Sequence, residues 1–423
     1  MKIEYIKIRN FKLFADEEFS FNPQMNVIIG NNATGKTTIL EALSYSLGTV
    51  LMGLKREESI PLRYEEKRRE IISPDNIEIQ LPFRIDIQQT LDNINYKWHR
   101  STDKDLGGAT NYKSAKEMIN KAKELANQVR NGDNVKLPLI AYYGTERVND
   151  RHQNKVTYQK QGSRLDGYYG ALDSRTLKGQ FLEWFKSYED SVLKFGKDKT
   201  LYHAFTNSIT SMVKDWKKIH FSWEMDDMLG QLENGSWVSF SMMSAGYQSV
   251  VRLTADIAYR AIKLNPHLGG NAIKETEGVV LIDEIDMHLH PKWQKNIISD
   301  LKNTFPKIQF IATTHSPFII QSLRAEELIK LDGDDVVDNP FTKSIPDIAE
   351  EEMNLESVQR SRKFLKMQKV ASDYFALIQE GKTSKNDYTT NKIKEELDKL
   401  ELEFNSDPVF VALMKAERKT ELG

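Results

Sequence analysis

The segment GNNATGKT at residues 30–37 constrains the fold of this chain more than any other feature of the sequence. It follows residues 17–29, which end in a continuously apolar run typical of a buried strand. It precedes residues 37–54, where apolar side chains recur at helical spacing. A strand, a glycine-containing turn and a helix in this order form a unit whose backbone N–H groups and helix N-terminus bind phosphate. The pattern GxxxxGK[ST] therefore predicts a nucleotide-binding α/β domain.

The chemistry of this loop assigns a role to several of its side chains. Lys36 is expected to contact the β- and γ-phosphates of ATP, and Thr37 to ligate Mg²⁺. Thr38 could add a hydrogen bond to a phosphate. A chance glycine turn is disfavoured because a strand and a helix flank the segment. The residues expected to bind the nucleotide here are Gly30, Asn31, Asn32, Ala33, Thr34, Gly35, Lys36, Thr37 and Thr38.

An acidic pair follows a second apolar strand at residues 279–282. Asp283 suits the Mg²⁺ shell together with Thr37, because Mg²⁺ prefers oxygen ligands. Glu284 suits the polarisation of an attacking water molecule. A strand that ends in Asp-Glu is weak evidence alone, and it gains its meaning from the phosphate loop in the same chain.

Two further segments complete the set of candidates. His315 ends the segment Thr313-Thr314-His315 after the next apolar strand, and it could contact the γ-phosphate or hold the water. Ser244 and Gly246 lie in the segment MSAGYQ immediately before a predicted helix. Such a turn either caps its helix or offers a second anion site.

Together, these four segments resemble the ATP-binding-cassette class of ATPases, in the soluble branch that includes RecF and the SMC proteins. In that family ATP lies between the phosphate loop of one subunit and the signature serine of another. The resemblance implies a head-to-tail dimer or a higher oligomer, with Ser244 and Gly246 acting in trans. It also implies that Glu284 and His315 are catalytic and that Asp286 lies in the loop after the acidic pair.

Two departures from the family pattern are visible. The signature reads MSAGY rather than LSGGQ. The family's Q-loop glutamine is not identified, and Gln88 and Gln89 are the weak alternatives for it.

The phrases LPLIAYYGTER, SAGYQS, IDEIDMHLHP and FIATTHSPFII resemble a narrower group, the stand-alone ATPases of antiphage defence operons, such as the Septu and retron-associated ATPases. This resemblance implies a slow ATPase that controls a separate HNH nuclease subunit, with nucleic acid reached through the complex. A RecF-like ATPase of DNA repair and a nucleotide-binding scaffold with little hydrolysis remain the alternatives. A transporter motor is disfavoured, since 248 residues separate Gly35 from Asp283.

The predicted architecture is an ABC-type P-loop domain with a mixed sheet, built from residues 1–149 and 236–340. We expect an inserted helical lobe at 150–235. A helical, charged region at 341–423 could dock a partner through Ile393, Leu397, Leu400 and Phe404, or pack these residues within itself.

Composition and charge limit the classes of molecule that this chain is expected to bind. A net charge of −2, from 59 basic and 61 acidic residues, gives no global field for nucleic acid or membranes. A local basic cluster, formed by Arg147, Arg151, Lys155, Lys160 and Arg164, is either a solvated loop or a nucleic-acid contact.

The chain has no cysteine, which excludes disulfides and thiolate metal sites. His288 and His290 are a disfavoured metal pair. Without a signal-peptide pattern at residue 1, we expect a soluble, cytoplasmic protein.

Overall fold

The phosphate-loop segment lies at the end of a strand in a five-stranded parallel sheet. The computed structural model describes residues 1–54, 62–73, 75–105, 110–148, 162–173, 180–332, 339–355, 362–382 and 387–403. Across the sheet, the strands are β14 (Leu328–Lys330), β3 (Met25–Ile29), β13 (Ile308–Thr313), β12 (Gly278–Ile282) and β8 (Leu139–Tyr143). Every residue of β3, β12 and β13 is buried, as expected for parallel strands covered on both faces.

A four-stranded antiparallel sheet lies beside the parallel one. Its strands, in spatial order, are β2 (Phe14–Ser20), β1 (Lys2–Phe11), β6 (Phe83–Leu91) and β7 (Ile94–Thr102). The buried Gln309 of β13 joins the two sheets, because its amide donates to the Ile3 carbonyl and accepts from the Ile3 N–H, at 2.8 and 2.7 Å. Parallel and antiparallel strands therefore share one core, and the predicted α/β class is confirmed.

Helix α1 (Lys36–Leu54) starts at the phosphate loop and is the core helix of this domain. By length and composition it is the one described helix that could cross a membrane, and 83 % of its apolar stretch is buried inside the protein. Helix α2 (Lys116–Arg130) packs against it, since Gly53 lies too close to the Ile119 carbonyl to carry a Cβ atom.

The segment predicted as a helical lobe contains strands as well as helices. Helices α3 (Gln180–Phe195) and α4 (Thr200–Met212) are followed by β9 (Trp216–Ser222), β10 (Asp227–Leu232) and β11 (Trp237–Ser239), which form a three-stranded antiparallel sheet. The part of the predicted helical lobe from residue 216 onward therefore consists of strands rather than helices. The buried Glu189 of α3 connects helix and sheet, because its carboxylate accepts from the Phe221 N–H at 2.7 Å and contacts the His220 ring at 2.7 Å.

Helix α5 (Ala245–Leu264) begins at the signature segment. The remaining strands and α-helices described in residues 1–348 are β4 (Arg69–Ser73), β5 (Asn76–Ile79), α6 (Ala272–Glu275), α7 (Pro291–Gln294), α8 (Ile297–Thr304), α9 (Pro317–Ile320) and α10 (Ile345–Asp347).

The chain divides into two compact units, Met1–Ile348 and Ala349–Gly423. In the second unit, α11 (Arg362–Gln379) and α12 (Tyr388–Glu403) pack together. Their shared apolar cluster includes Met367, Tyr374, Leu397 and Leu400, with Ile393 partly buried beside it. These positions of α12 therefore pack within their own hairpin, while Phe404 lies outside the described residues. The domain boundaries given above stay a prediction.

Candidate nucleotide-binding site

The phosphate loop closes on itself through its own side chains. The Lys36 ammonium donates to the carbonyls of Gly30 and Asn31, at 2.7 and 2.8 Å. The Thr34 hydroxyl also donates to the Asn31 carbonyl, at 2.9 Å. Gly35 has a φ of +104°, and a Cβ atom there would lie 2.5 Å from the Phe14 ring. The loop thus requires glycine at this position, and its backbone leads directly into the N-terminus of α1.

The other loop residues differ in exposure. Asn31, Asn32, Ala33 and Thr37 are exposed, whereas Thr38 is buried. Exposed backbone at a helix N-terminus is the arrangement that accommodates phosphate.

Lys36 is a buried cation surrounded by carboxylates. Burial lowers its pKa, and the nearby charges of Asp332, Asp283 and Glu284 act in the opposite direction. The ammonium would attract a phosphate bound at the loop, whereas the three carboxylates would repel it.

Thr37 and the acidic pair meet across the sheet edge. The Thr37 hydroxyl lies 3.0 and 3.2 Å from the two carboxylate oxygens of Asp283. Two adjacent ligands of an octahedral Mg²⁺, each about 2.1 Å from the ion, lie about 3 Å apart. The hydroxyl and the carboxylate therefore fit a shared Mg²⁺ ion in both chemistry and spacing.

Thr313 holds both acidic residues in place. Its buried hydroxyl donates to Asp283 at 2.6 Å and accepts the Glu284 backbone N–H at 2.8 Å. Glu284 has a φ of +48°, a left-handed conformation that is strained for a residue with a side chain. The hydrogen bond to Thr313 stabilises this conformation, which directs the chain away from the strand at the candidate catalytic residue.

Asp286 orders the segment that carries His315. Its carboxylate accepts the Thr314 hydroxyl at 2.6 Å and the His315 backbone N–H at 3.3 Å. The strands β12 and β13 are neighbours in the sheet, so the acidic pair and His315 lie at the same edge. The structure thus brings Lys36, Thr37, Asp283, Glu284 and His315 to one region.

The signature segment lies apart from this cluster. Ser244 occupies the N-cap position of α5, but its exposed side chain makes no capping hydrogen bond. Gly246 packs on the backbone after the acidic pair, where a Cβ atom would lie 2.4 Å from the His288 carbonyl oxygen. Tyr247 contacts the Trp293 ring, with centroids 4.6 Å apart. Among the described contacts, none joins Ser244 or Gly246 to the phosphate loop of the same chain.

Several weaker candidates have other roles. Gln88 donates to Glu4 at 2.6 Å, and Gln89 is fully buried in the antiparallel sheet. Neither has a described contact with the phosphate loop, so the Q-loop residue stays unassigned. His290 accepts the Lys292 N–H at the start of α7. Within the described ranges, no group of three or more potential metal-ligating His, Asp or Glu side chains occurs.

The predicted basic cluster is represented by one described side chain. The Arg164 guanidinium donates to the backbone carbonyls of Leu264, Asp133 and Val135. Arg164 is therefore a structural residue rather than a free phosphate ligand. Arg151, Lys155 and Lys160 lie outside the described residues, as does the side chain of Arg147.

The sequence assigned no role to Thr313, and its contacts in the structure predict what removal of its hydroxyl would do. Thr313→Val removes the hydroxyl and leaves the shape, so Asp283 loses a donor and the Glu284 N–H loses its acceptor. We expect ATP hydrolysis to fall about 10- to 100-fold and the free energy of unfolding to fall by about 1–3 kcal/mol. ATP affinity should change only a few-fold. Steady-state kinetics, calorimetry and chemical denaturation measure these quantities.

Thr313→Ser is the matched control, since it keeps the hydroxyl and should retain activity. A Thr313→Val protein that hydrolyses ATP at the wild-type rate would contradict the role of this hydroxyl.

The chain is similar to a known family and to several known proteins. The family model described as "AAA domain, putative AbiEii toxin, Type IV TA system" matches residues 25–321. The retron Vc95 probable ATPase of Vibrio cholerae serotype O1 biovar El Tor is 26 % identical over 414 residues, covering 81 % of this chain and 78 % of that protein. The Septu protein PtuA of Bacillus thuringiensis is 26 % identical over 358 residues, covering 82 % and 79 %. These relatives confirm the resemblance to the Septu and retron ATPases.

Among solved structures, the SMC head domain from Thermotoga maritima is similar to this chain, with 13 % identity and a TM-score of 0.42. The two structures align over 76 % of this chain and 92 % of the SMC head domain.

Proposed function

Because the chain belongs to this AAA-domain family, we propose that it binds ATP with Mg²⁺ and hydrolyses it slowly, as the ATPase subunit of a bacterial antiphage defence system. One observation carries the ATPase assignment. Hydrogen bonds run without interruption from Thr37 through Asp283 to Thr313, and from Thr313 to the Glu284 backbone. The residues that would hold the phosphates and those that would act on the water are thereby fixed to each other.

The binding step uses the loop and its helix. The backbone N–H groups at the start of α1 and the Lys36 ammonium would hold the β- and γ-phosphates. Thr37 and Asp283 would ligate Mg²⁺, which on binding neutralises negative charge on the phosphates. Because Lys36 is already anchored to two carbonyls, little ordering of its side chain is needed when ATP arrives.

The hydrolytic step uses residues at the sheet edge. The Glu284 carboxylate would accept a proton from the attacking water, an effect that typically contributes about 10²–10⁴ in rate. His315 would donate a hydrogen bond to the γ-phosphate as charge develops on it. Asp286 would position His315 through its backbone N–H.

We propose that a second copy of the chain completes the site. Ser244 is exposed, makes no capping hydrogen bond, and has no described contact with the loop of its own chain. An exposed hydroxyl at the N-terminus of the 20-residue helix α5 is suited to a phosphate presented by another subunit. ATP would then join two copies head to tail, and hydrolysis would release them.

Complementation tests this composite site. The Lys36→Ala chain has no working loop, and Ser244→Arg blocks the signature turn. Co-expression with different tags and purification through both isolates the heterodimer. It should hydrolyse ATP at about half the wild-type rate, since one of its two sites is complete. Each variant alone should be nearly inactive.

A mixture of Lys36→Ala chains with chains that carry both Lys36→Ala and Ser244→Arg is the matched control, and it should stay inactive because it contains no working loop. If the first heterodimer is as inactive as this control, the two halves of the site do not come from different chains.

The defence role is supported by similarity to the retron and Septu proteins over about four-fifths of the chain. We propose that ATP-dependent assembly controls a separate HNH nuclease subunit, as the resemblance to defence-operon ATPases implies. Nucleic acid would then be contacted by the complex.

A further inference from the structure

Asp332 contacts the phosphate loop from the end of the edge strand β14, which pairs with β3. It follows strand β14, and its carboxylate accepts the Asn31 backbone N–H at 2.6 Å. The same carboxylate lies 3.4 Å from the position that a Cβ atom on Gly30 would occupy. A negatively charged group is thus packed on the first two residues of a loop that is built to receive anions.

Asn31 is the residue through which this contact reaches the rest of the loop. Its N–H is held by Asp332, and its carbonyl accepts both the Thr34 hydroxyl and the Lys36 ammonium. The orientation of this one peptide therefore decides where the Lys36 side chain is anchored. By fixing it, Asp332 maintains the loop in a formed conformation before any nucleotide binds.

The charge of Asp332 acts on the same region. Its carboxylate contacts the Asn31 N–H and packs on Gly30, and the Asn31 carbonyl in turn accepts the Lys36 ammonium. A carboxylate held this close to the loop repels the phosphates that the Lys36 ammonium attracts. The hydrogen bond and the charge of one side chain therefore have opposite effects on nucleotide affinity.

We propose that Asp332 is a positioning residue that preforms the phosphate loop through its hydrogen bond and limits the affinity for nucleoside triphosphate through its charge. This inference rests on the proposed ATP binding. Its consequence is a loop that is ready for ATP when empty and that releases nucleotide more readily than the loop alone would.

Two substitutions separate the two effects. Asp332→Asn keeps an acceptor for the Asn31 N–H and removes the charge, so ATP should bind about 3- to 30-fold more tightly. The gain should be larger for ATP than for ADP, which carries one phosphate fewer, and it should shrink at high salt. Asp332→Ala also removes the acceptor, so it should bind ATP about 5- to 10-fold more weakly than Asp332→Asn.

Calorimetric titration with Mg²⁺–ATP and Mg²⁺–ADP at low and high salt measures these differences. Thermal unfolding establishes that each variant is folded. Asp92→Asn is the matched control, because it removes one negative charge from the turn between β6 and β7, where Asp92 pairs with Lys121. It should leave ATP affinity unchanged.

If Asp332→Asn binds ATP no more tightly than wild type, or gains equally for ATP and ADP, the role of the charge is overturned. If Asp332→Ala matches Asp332→Asn, the role of the hydrogen bond is overturned. If the wild-type chain binds no ATP, the proposed function itself fails and this inference falls with it.

Discussion

Lys36→Ala is expected to abolish ATP binding. Lys36 is 8 % exposed and its ammonium is anchored to two loop carbonyls, so its removal takes away both the cation that would face the phosphates and two hydrogen bonds that close the loop. Three carboxylates would then repel the phosphates without the Lys36 cation to offset them, those of Asp332, Asp283 and Glu284. We expect a loss of at least about 100-fold in affinity, since a charge-assisted contact of this kind is worth about 3 kcal/mol. Isothermal titration with Mg²⁺–ATP measures it.

Lys7→Ala is the matched control, because Lys7 is a surface cation of β1 that pairs with Asp16 and Glu18. It should bind ATP like the wild type. Unchanged ATP affinity in a folded Lys36→Ala protein would remove the assignment of residues 30–37 as the phosphate loop.

Glu284→Gln is expected to separate ATP binding from hydrolysis. The amide has the shape of the carboxylate but cannot accept the proton of the attacking water, so turnover should fall about 10²- to 10⁴-fold. Lys36 and Thr37 form hydrogen bonds to the loop carbonyls and to Asp283, so binding should persist. Because ATP then stays in the site, the proposed head-to-tail assembly should accumulate. Light scattering after gel filtration with ATP measures the mass of the species.

The same variant tests the link to a nuclease. If the proposed HNH subunit is present, Glu284→Gln should hold the complex in its ATP-bound state, so that further addition of ATP no longer changes its nuclease activity. Glu17→Gln, at an exposed position on β2, is the control. A Glu284→Gln protein that hydrolyses ATP normally would disprove the catalytic role of Glu284, and one that never increases in mass with ATP would disprove the composite site.

The sequence predicted the central strands and the phosphate loop because their signals are local. The buried residues of β3 and β12 form continuous apolar runs, and glycines mark the turn between β3 and α1. The acidic pair was found because it directly follows such a run. Local pattern was sufficient wherever the residues that form an element are adjacent in the chain.

Strand β9 was missed because its pattern is short and follows a helix. Its buried positions Trp216, Ile219 and Phe221 do not alternate strictly, and two lysines stand between the first two. They continue the spacing of α4, so helix was the natural interpretation. The sheet exists because β10 pairs with β9 and Glu189 of α3 holds its backbone, contacts that no single-segment pattern contains.

The parts of the site that the sequence did not reveal depend on long-range contacts. Thr313 acts on an acidic pair that lies about 30 residues earlier, and Asp332 on a loop residue 301 positions earlier. Neither residue belongs to a spacing rule, since their partners are set by strand order in the sheet. Ser244 is the third case, because its proposed partner is in another molecule.

The contact between Gly246 and His288 explains which letters of the signature can vary. MSAGY retains the serine and the second glycine of LSGGQ and changes the other three. Ala245 is exposed, so a methyl group there is tolerated, and Tyr247 has an aromatic neighbour in Trp293. At residue 246 any side chain would collide with a backbone carbonyl. Divergence of this motif is thus limited by the fold of its own chain as well as by its ligand, and a search for distant relatives should weight serine and this glycine above the rest.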